Sequence, residues 1–219
     1  MTITYTLGTP VPNGISGQFK ITHYTIPQED DPYFHRYGGY DGKGGGNIAI
    51  TDNNGASWER KLIANMWFAV GNPGDVNNYS VLYNGTGYLN DPNEKQYYGK
   101  YLHVAVAEYH GTSPDDPHSL FEILDEKPKP CGGVLEPLTP NAQEVTIAVS
   151  QDFLGSGKLY DCDQRFIIDA YPSVIFKIGD AGTFHDQKHF DIYVGEMHKE
   201  DFDALYPTPL TGVLVQQVQ

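Results

Sequence analysis

The stretch from Asn47 to Val70, NIAITDNNGASWERKLIANMWFAV, limits what this chain can fold into more than any other. It concentrates apolar residues, holds both tryptophans, Trp58 and Trp67, and is broken in the middle by a turn signal. Asn54-Gly55 tolerates the positive φ that tight hairpin turns demand. Asn47 to Thr51 therefore reads as a strand, Asp52 to Ala56 as the turn and Ser57 onward as the returning strand. A strand continuing from Leu62 to Phe68 is apolar on both faces and needs a central, doubly covered place. The same residues also fit a helix from Trp58 to Val70. Ser57 would cap it, Glu59 would suit its first turn, and Trp58, Leu62, Met66 and Val70 would share a face. The strand is preferred, by a narrow margin.

Thr51 to Trp58, TDNNGASW, resembles the Asp box, a hairpin turn of the pattern Ser/Thr-x-Asp-x-Gly-x-Thr/Ser-Trp. Gly55, Ser57 and Trp58 match it, and Asn53 stands where the pattern has Asp. The resemblance implies a stable hairpin with the Trp packed beneath it. Asp boxes recur in sialidases and in many unrelated β proteins, phage proteins among them, so the motif implies no single chemistry.

Alternation of period two dominates the rest of the chain. It marks Thr2 to Leu7, Gln18 to Ile26, Lys100 to His110, Glu144 to Val149, Gln164 to Ile168, Val174 to Ile178, Phe190 to Val194 and Leu210 to Val218 as strands. Tyr79 to Tyr83 and the residues from Tyr88 flank Asn84-Gly85-Thr86-Gly87 as a further hairpin. Lys199 to Tyr206, acidic early and stopped by Pro207, is the best short helix. Two segments break the pattern. Residues 27–46 are aromatic and glycine-laden, and 111–141 hold prolines 114, 117, 128, 130, 137 and 140. Both read as long loops, a length usually tied to function or mobility. The expected fold is all-β: one β-sandwich or jelly-roll-like domain over 1–219, with at most one or two short helices.

Twenty-eight acidic against 14 basic residues leave a net charge of −14. Such a field repels phosphate backbones and anionic bilayers, so neither nucleic acid nor membrane is an expected partner. With no signal-like N-terminus and no long apolar run, the chain is expected in the cytoplasm or inside a virion. One bridge between Cys131 and Cys162 is open to the chain, and two free thiols are the expectation in a reducing compartment.

Candidate chemistry is sparse. His185, His189 and Asp191 lie close in sequence, and His-x-Asp on a strand is the local half of a metal-binding triad, with His103 or His110 as a distal ligand. Tyr33, Phe34, Tyr37 and Tyr40 in the first loop would suit sugar stacking or a protein neighbour. There is no nucleophile elbow, and His103, Glu108 and His110 do not reproduce the cupin spacing. No cofactor is expected. These features rank a non-enzymatic structural or assembly protein first, a homo-oligomeric phage or virion component making contacts through its loops. A glycan-binding module is the alternative, and a metal-dependent enzyme built on the His/Asp cluster comes third.

Overall fold

The computed structural model describes residues 8–35, 48–51, 58–61, 66–70, 79–92, 97–104, 120–128 and 130–219. The fold is all-β, as the alternation predicts, and among the described residues the helices are short. The described strands form one closed barrel and one five-stranded sheet, in two compact units, where a sandwich or jelly roll was expected.

The barrel unit comprises 1–24, 129–195 and 206–219. Its strands are β1 (Ser16–Ile26), β7 (Glu144–Ser150), β8 (Arg165–Ile168), β9 (Ile175–Gly182), β10 (His189–Glu196) and β11 (Leu210–Val218). They close in the order β1-β10-β7-β9-β8-β11, with β7 and β9 parallel. Inward residues alternate along each strand, and aromatic rings fill the interior. Phe190 lies 4.8 Å from Phe19, 4.9 Å from Phe166 and 5.7 Å from Tyr160, centroid to centroid. β7 differs in being buried from Val145 to Ser150 without a break. One face packs in the barrel; alongside, the Thr146 amide donates to the Glu136 carbonyl and the Glu136 amide to the Thr146 hydroxyl, next to buried Leu135.

The pairing of β7 with β9 is irregular at one point. Ile147 pairs with Ile178 and then Ala148 with Asp180, so Gly179 is an extra residue, a bulge. Unbroken alternation would send Asp180 into the core with Phe176 and Ile178. The bulge shifts the phase and gives Asp180 the face of Ala148. A Cβ at 179 would lie 2.9 Å from Thr146 Cγ2, so glycine fits the bulge where larger residues would not.

The second unit comprises 25–128 and 196–205. Its sheet runs β3-β2-β6-β5-β4, from β2 (Ile48–Thr51), β3 (Trp58–Lys61), β4 (Thr86–Leu89), β5 (Lys100–Val104) and β6 (Leu120–Leu124). A single helical turn, α1 (Pro32–His35), precedes the sheet in the chain. The stretch around both tryptophans takes both of its readings. β2 and β3 pair antiparallel with Thr51 opposite Trp58, and Met66–Val70 is a helix, α2. The Asp-box-like turn itself falls outside the described residues. Tyr79 to Tyr83, expected as a strand, instead lead into helix α3 (Val81–Asn84), closed by Gly85 at φ 76°. The hairpin forms one element later, between β4 and β5. Leu120–Leu124, expected within the long loop 111–141, is instead strand β6, between β2 and β5. Lys199–Leu205 is helix α4, as its charge pattern predicts. Among the described residues no helix is long and apolar enough to cross a membrane.

Candidate functional site

Three adjacent barrel strands set up the site through register alone. Asp180 on β9 pairs with Ala148 on β7, and Ala148 pairs with Asp191 on β10. Residues paired in register share a face, so the two acids flank one small alanine. Neighbouring strands lie about 4.8 Å apart, which puts the two backbones roughly 10 Å from each other. β1 completes the surround, because Thr22 and Tyr24 alternate with the inward Phe19 and Ile21.

Each carboxyl has its own partners. Asp180 accepts a hydrogen bond from the Tyr24 hydroxyl at 2.6 Å and one from the Ala181 amide at 2.8 Å. Burial and then the Asp180 charge hold the Tyr24 hydroxyl well above the ordinary phenol range, so it stays a donor. Asp191 accepts from the Thr22 hydroxyl at 2.7 Å, and that same hydroxyl meets His189 Nε2 at 2.6 Å. Burial pushes the Asp191 carboxyl up to about 7. The nearby Asp180 charge adds to the rise, while the Thr22 hydroxyl and Lys20 oppose it. His189 moves the other way, to about 4, through burial first and then the Lys20 charge. Near neutral pH, then, His189 is uncharged and Asp191 keeps a proton for much of the time.

The structure separates the expected metal triad. His189 and Asp191 meet at Thr22, whereas exposed His185 bonds Asp152 at 2.6 Å. His103 belongs to the other unit and bonds Thr86, and His110 is outside the described residues. Among the described residues no three His, Cys, Asp or Glu side chains are placed to hold a metal ion. Of the expected aromatic platform, Phe34 is fully buried, stacked on Tyr79 at 5.3 Å. Tyr33 is half-buried beneath the Lys199 ammonium, and Tyr37 and Tyr40 lie outside the described residues. Cys131 and Cys162 are joined in a disulfide, which corrects the expectation of free thiols. Sequence reasoning missed Thr22, Tyr24 and Asp180. One signal was available: Asp191 stands between Phe190 and Ile192, and Asp180 follows Ile178 and Gly179, within strands where an acid among apolar neighbours is costly without a purpose.

A closed six-stranded barrel with a pair of carboxyls on its wall is the class that fold and site define. Solved structures similar to it are lytic transglycosylases. Two of the matching structures of MltA from E. coli share 13% and 14% identity, with TM-scores of 0.47 and 0.48, over 93% of this chain and 72% of that one. A membrane-bound lytic murein transglycosylase from Agrobacterium tumefaciens matches at 12% identity and a TM-score of 0.40, over 91% and 73%. No family model matches the chain, and no curated protein does. The expectation of a non-enzymatic virion component is set aside: the solved structures similar to this chain carry the names of lytic transglycosylases. At such identities the likeness is one of fold, and chemistry lives in the side chains of a site.

Proposed function

We propose that the barrel is an acid–base catalyst that cleaves glycosidic bonds, with Asp191 as the proton donor and Asp180 as its charged neighbour. One observation carries the reading: two carboxyls share a face through strand register, and burial holds one of them, Asp191, up to about 7. Asp180 takes two donated hydrogen bonds, from the Tyr24 hydroxyl and the Ala181 amide, and Asp191 accepts one, from Thr22. Pairs of acids set apart in this way mark the acid and base of an active site. Glycosidic bonds are the substrates most often cut by two carboxyls. Protonated Asp191 gives its proton to the leaving glycosidic oxygen as the C–O bond breaks. The resulting carboxylate then takes a proton from the hydroxyl that completes the reaction, whether from water or from the glycan itself.

The test is mass spectrometry of products from peptidoglycan, chitin oligomers and plant β-glucans, using the wild type, Asp191→Asn and Asp180→Asn. At least one polymer should be cut by the wild type and not by D191N. Removing a general acid of this kind typically costs about 10²–10⁴-fold. Folded wild-type protein that leaves every polymer intact, or D191N cutting as fast as the wild type, would rule the reading out.

A further inference from the structure

We infer that Thr22 and His189 are positioning residues that fix the catalytic proton of Asp191 on Oδ2, by holding Oδ1 in a one-way hydrogen-bond chain. This rests on the acid–base reading above, and it deepens that reading by saying which oxygen acts and what selects it.

The direction of the chain comes from counting protons. A threonine hydroxyl has one hydrogen to give, and Thr22 gives it to Asp191 Oδ1 at 2.7 Å. Its contact with His189 Nε2 at 2.6 Å must then run the other way, with Nε2–H donating to the hydroxyl oxygen. That requires the Nε2–H tautomer. A proton on Oδ1 would turn the first link round, with the carboxylic acid donating to the Thr22 oxygen; the Thr22 hydrogen would then need a new acceptor, which His189 Nε2 supplies only if the imidazole proton moves to Nδ1. Such a move needs exchange with solvent. The His189 residue is only 8% exposed, and the Phe184 ring lies 4.2 Å away, centroid to centroid. With Oδ1 taken by the Thr22 hydroxyl, the acid proton is left to the other oxygen. Among the described residues the hydrogen bond that the Asp191 carboxyl accepts falls on Oδ1.

The surroundings are consistent with a neutral imidazole at the head of the chain. Lys20 on β1 pushes His189 towards its neutral form, against Asp186 in the β9–β10 connection. Around Asp191 stand Lys20, Asp180 and Tyr24, with Tyr193 beside Tyr24 at 5.3 Å. None of these replaces Thr22 as a donor to Oδ1.

The experiment combines kinetics with a titration that needs no turnover. Thr22→Val keeps the shape and removes the hydroxyl, Thr22→Ser keeps the hydroxyl, and His189→Gln keeps an N–H donor. Steady-state kinetics on the polymer cleaved by the wild type should show T22V losing about 10–100-fold in kcat, the worth of a charge-assisted hydrogen bond, with little change in KM. Carbon-13 NMR of labelled aspartate should show the Asp191 carboxyl titrating higher in T22V, because a donor that favours the carboxylate has gone. T22S should restore both readouts, and H189Q should lie between. Melting temperatures separate these effects from simple loss of fold. If T22V leaves both kcat and the carboxyl titration at wild-type values, the inference is overturned. If D191N keeps cleaving while T22V still shifts the carboxyl titration, the hydrogen-bond assignment stands and the catalytic reading is what fails.

Discussion

Asp191 is stable as an acid and costly as a carboxylate, and this shapes both activity and stability. Its folded pKa, about 7, lies above its ordinary value of 3.8. The stability linked to its proton is therefore fully present below about pH 4 and lost as pH rises through about 7. Cleavage that needs the protonated acid should fall over the same upper range, so kcat/KM should decline through an alkaline limb near pH 7, read from initial rates. Asp191→Asn abolishes that limb's cause. It should melt higher than the wild type at about pH 8, by an amount on the order of a few kcal/mol, with the gap closing by about pH 4. His189 and His23 titrate in the opposite sense. Burial lowers both to about 4 from 6.5, so stability present above 6.5 is lost as pH falls towards 4. In the wild type the Asp191 proton offsets part of this loss. D191N should then show a steeper acid decline than the wild type in melts recorded from about pH 7 to about pH 4.

At the scale of elements, the β9 bulge decides where chemistry is possible. Gly179→Ala pushes a Cβ to 2.9 Å from Thr146 Cγ2 and strains the bulge that turns Asp180 outward. Cleavage should drop at least about tenfold in this variant while the circular dichroism of the barrel persists, since a misplacement of about 1 Å at a site can cost about 10²-fold. The sheet has its own sensitive glycine. A Cβ at Gly87 would lie 2.4 Å from Phe68 Cζ and 2.5 Å from Val81 Cγ2, inside the cluster formed by Phe34, Phe68, Tyr79, Val81, Leu89, Leu102 and Phe121. Gly87→Ala should destabilise that unit by about 1–3 kcal/mol, the usual cost of overpacking, seen as a lower urea midpoint. In the barrel unit the Cys131–Cys162 disulfide joins residues 31 apart in the chain. Replacing both cysteines by Ala should cost about 3–4 kcal/mol on chain-entropy grounds, again read from the urea midpoint.

For the whole molecule, a net charge of −14 on 219 residues sets a background of self-repulsion. Salt screens that repulsion, so the melting temperature should rise between about 20 and about 300 mM NaCl. Local cation contacts work against the background. Glu144 bonds both Arg165 at 2.9 Å and Lys177 at 3.1 Å, and its carboxyl is held below the ordinary range despite partial burial. Lys199 lies over the rings of Tyr33 and Tyr79 and bonds Asp203 at 2.6 Å. Tyrosine rings in this chain thus serve as cation seats and hydrogen-bond donors inside the fold, as Tyr24 does for Asp180.

The sequence by itself determined the local elements. Val145, Ile147 and Val149 alternate because one face of β7 meets the barrel core, and Phe190 and Ile192 alternate for the same reason on β10. Those patterns are written in neighbouring residues, and period two is enough to read them. Lys199–Leu205 was legible in the same way, from its charges and the proline beyond it. Only the tertiary structure decided that the strands close into a barrel, because β1 pairs with β10 and β11, partners that lie far away in sequence. The disulfide has the same origin, a meeting of Cys131 with Cys162 that no local pattern announces. The site depends on it most. Asp191 reads from sequence as a ligand beside His185 and His189, yet it sits with Thr22 and opposite Asp180 because of pairing across strands. A one-residue bulge at Gly179 settles which way Asp180 faces. That is a matter of register, fixed by packing the barrel and invisible along the chain.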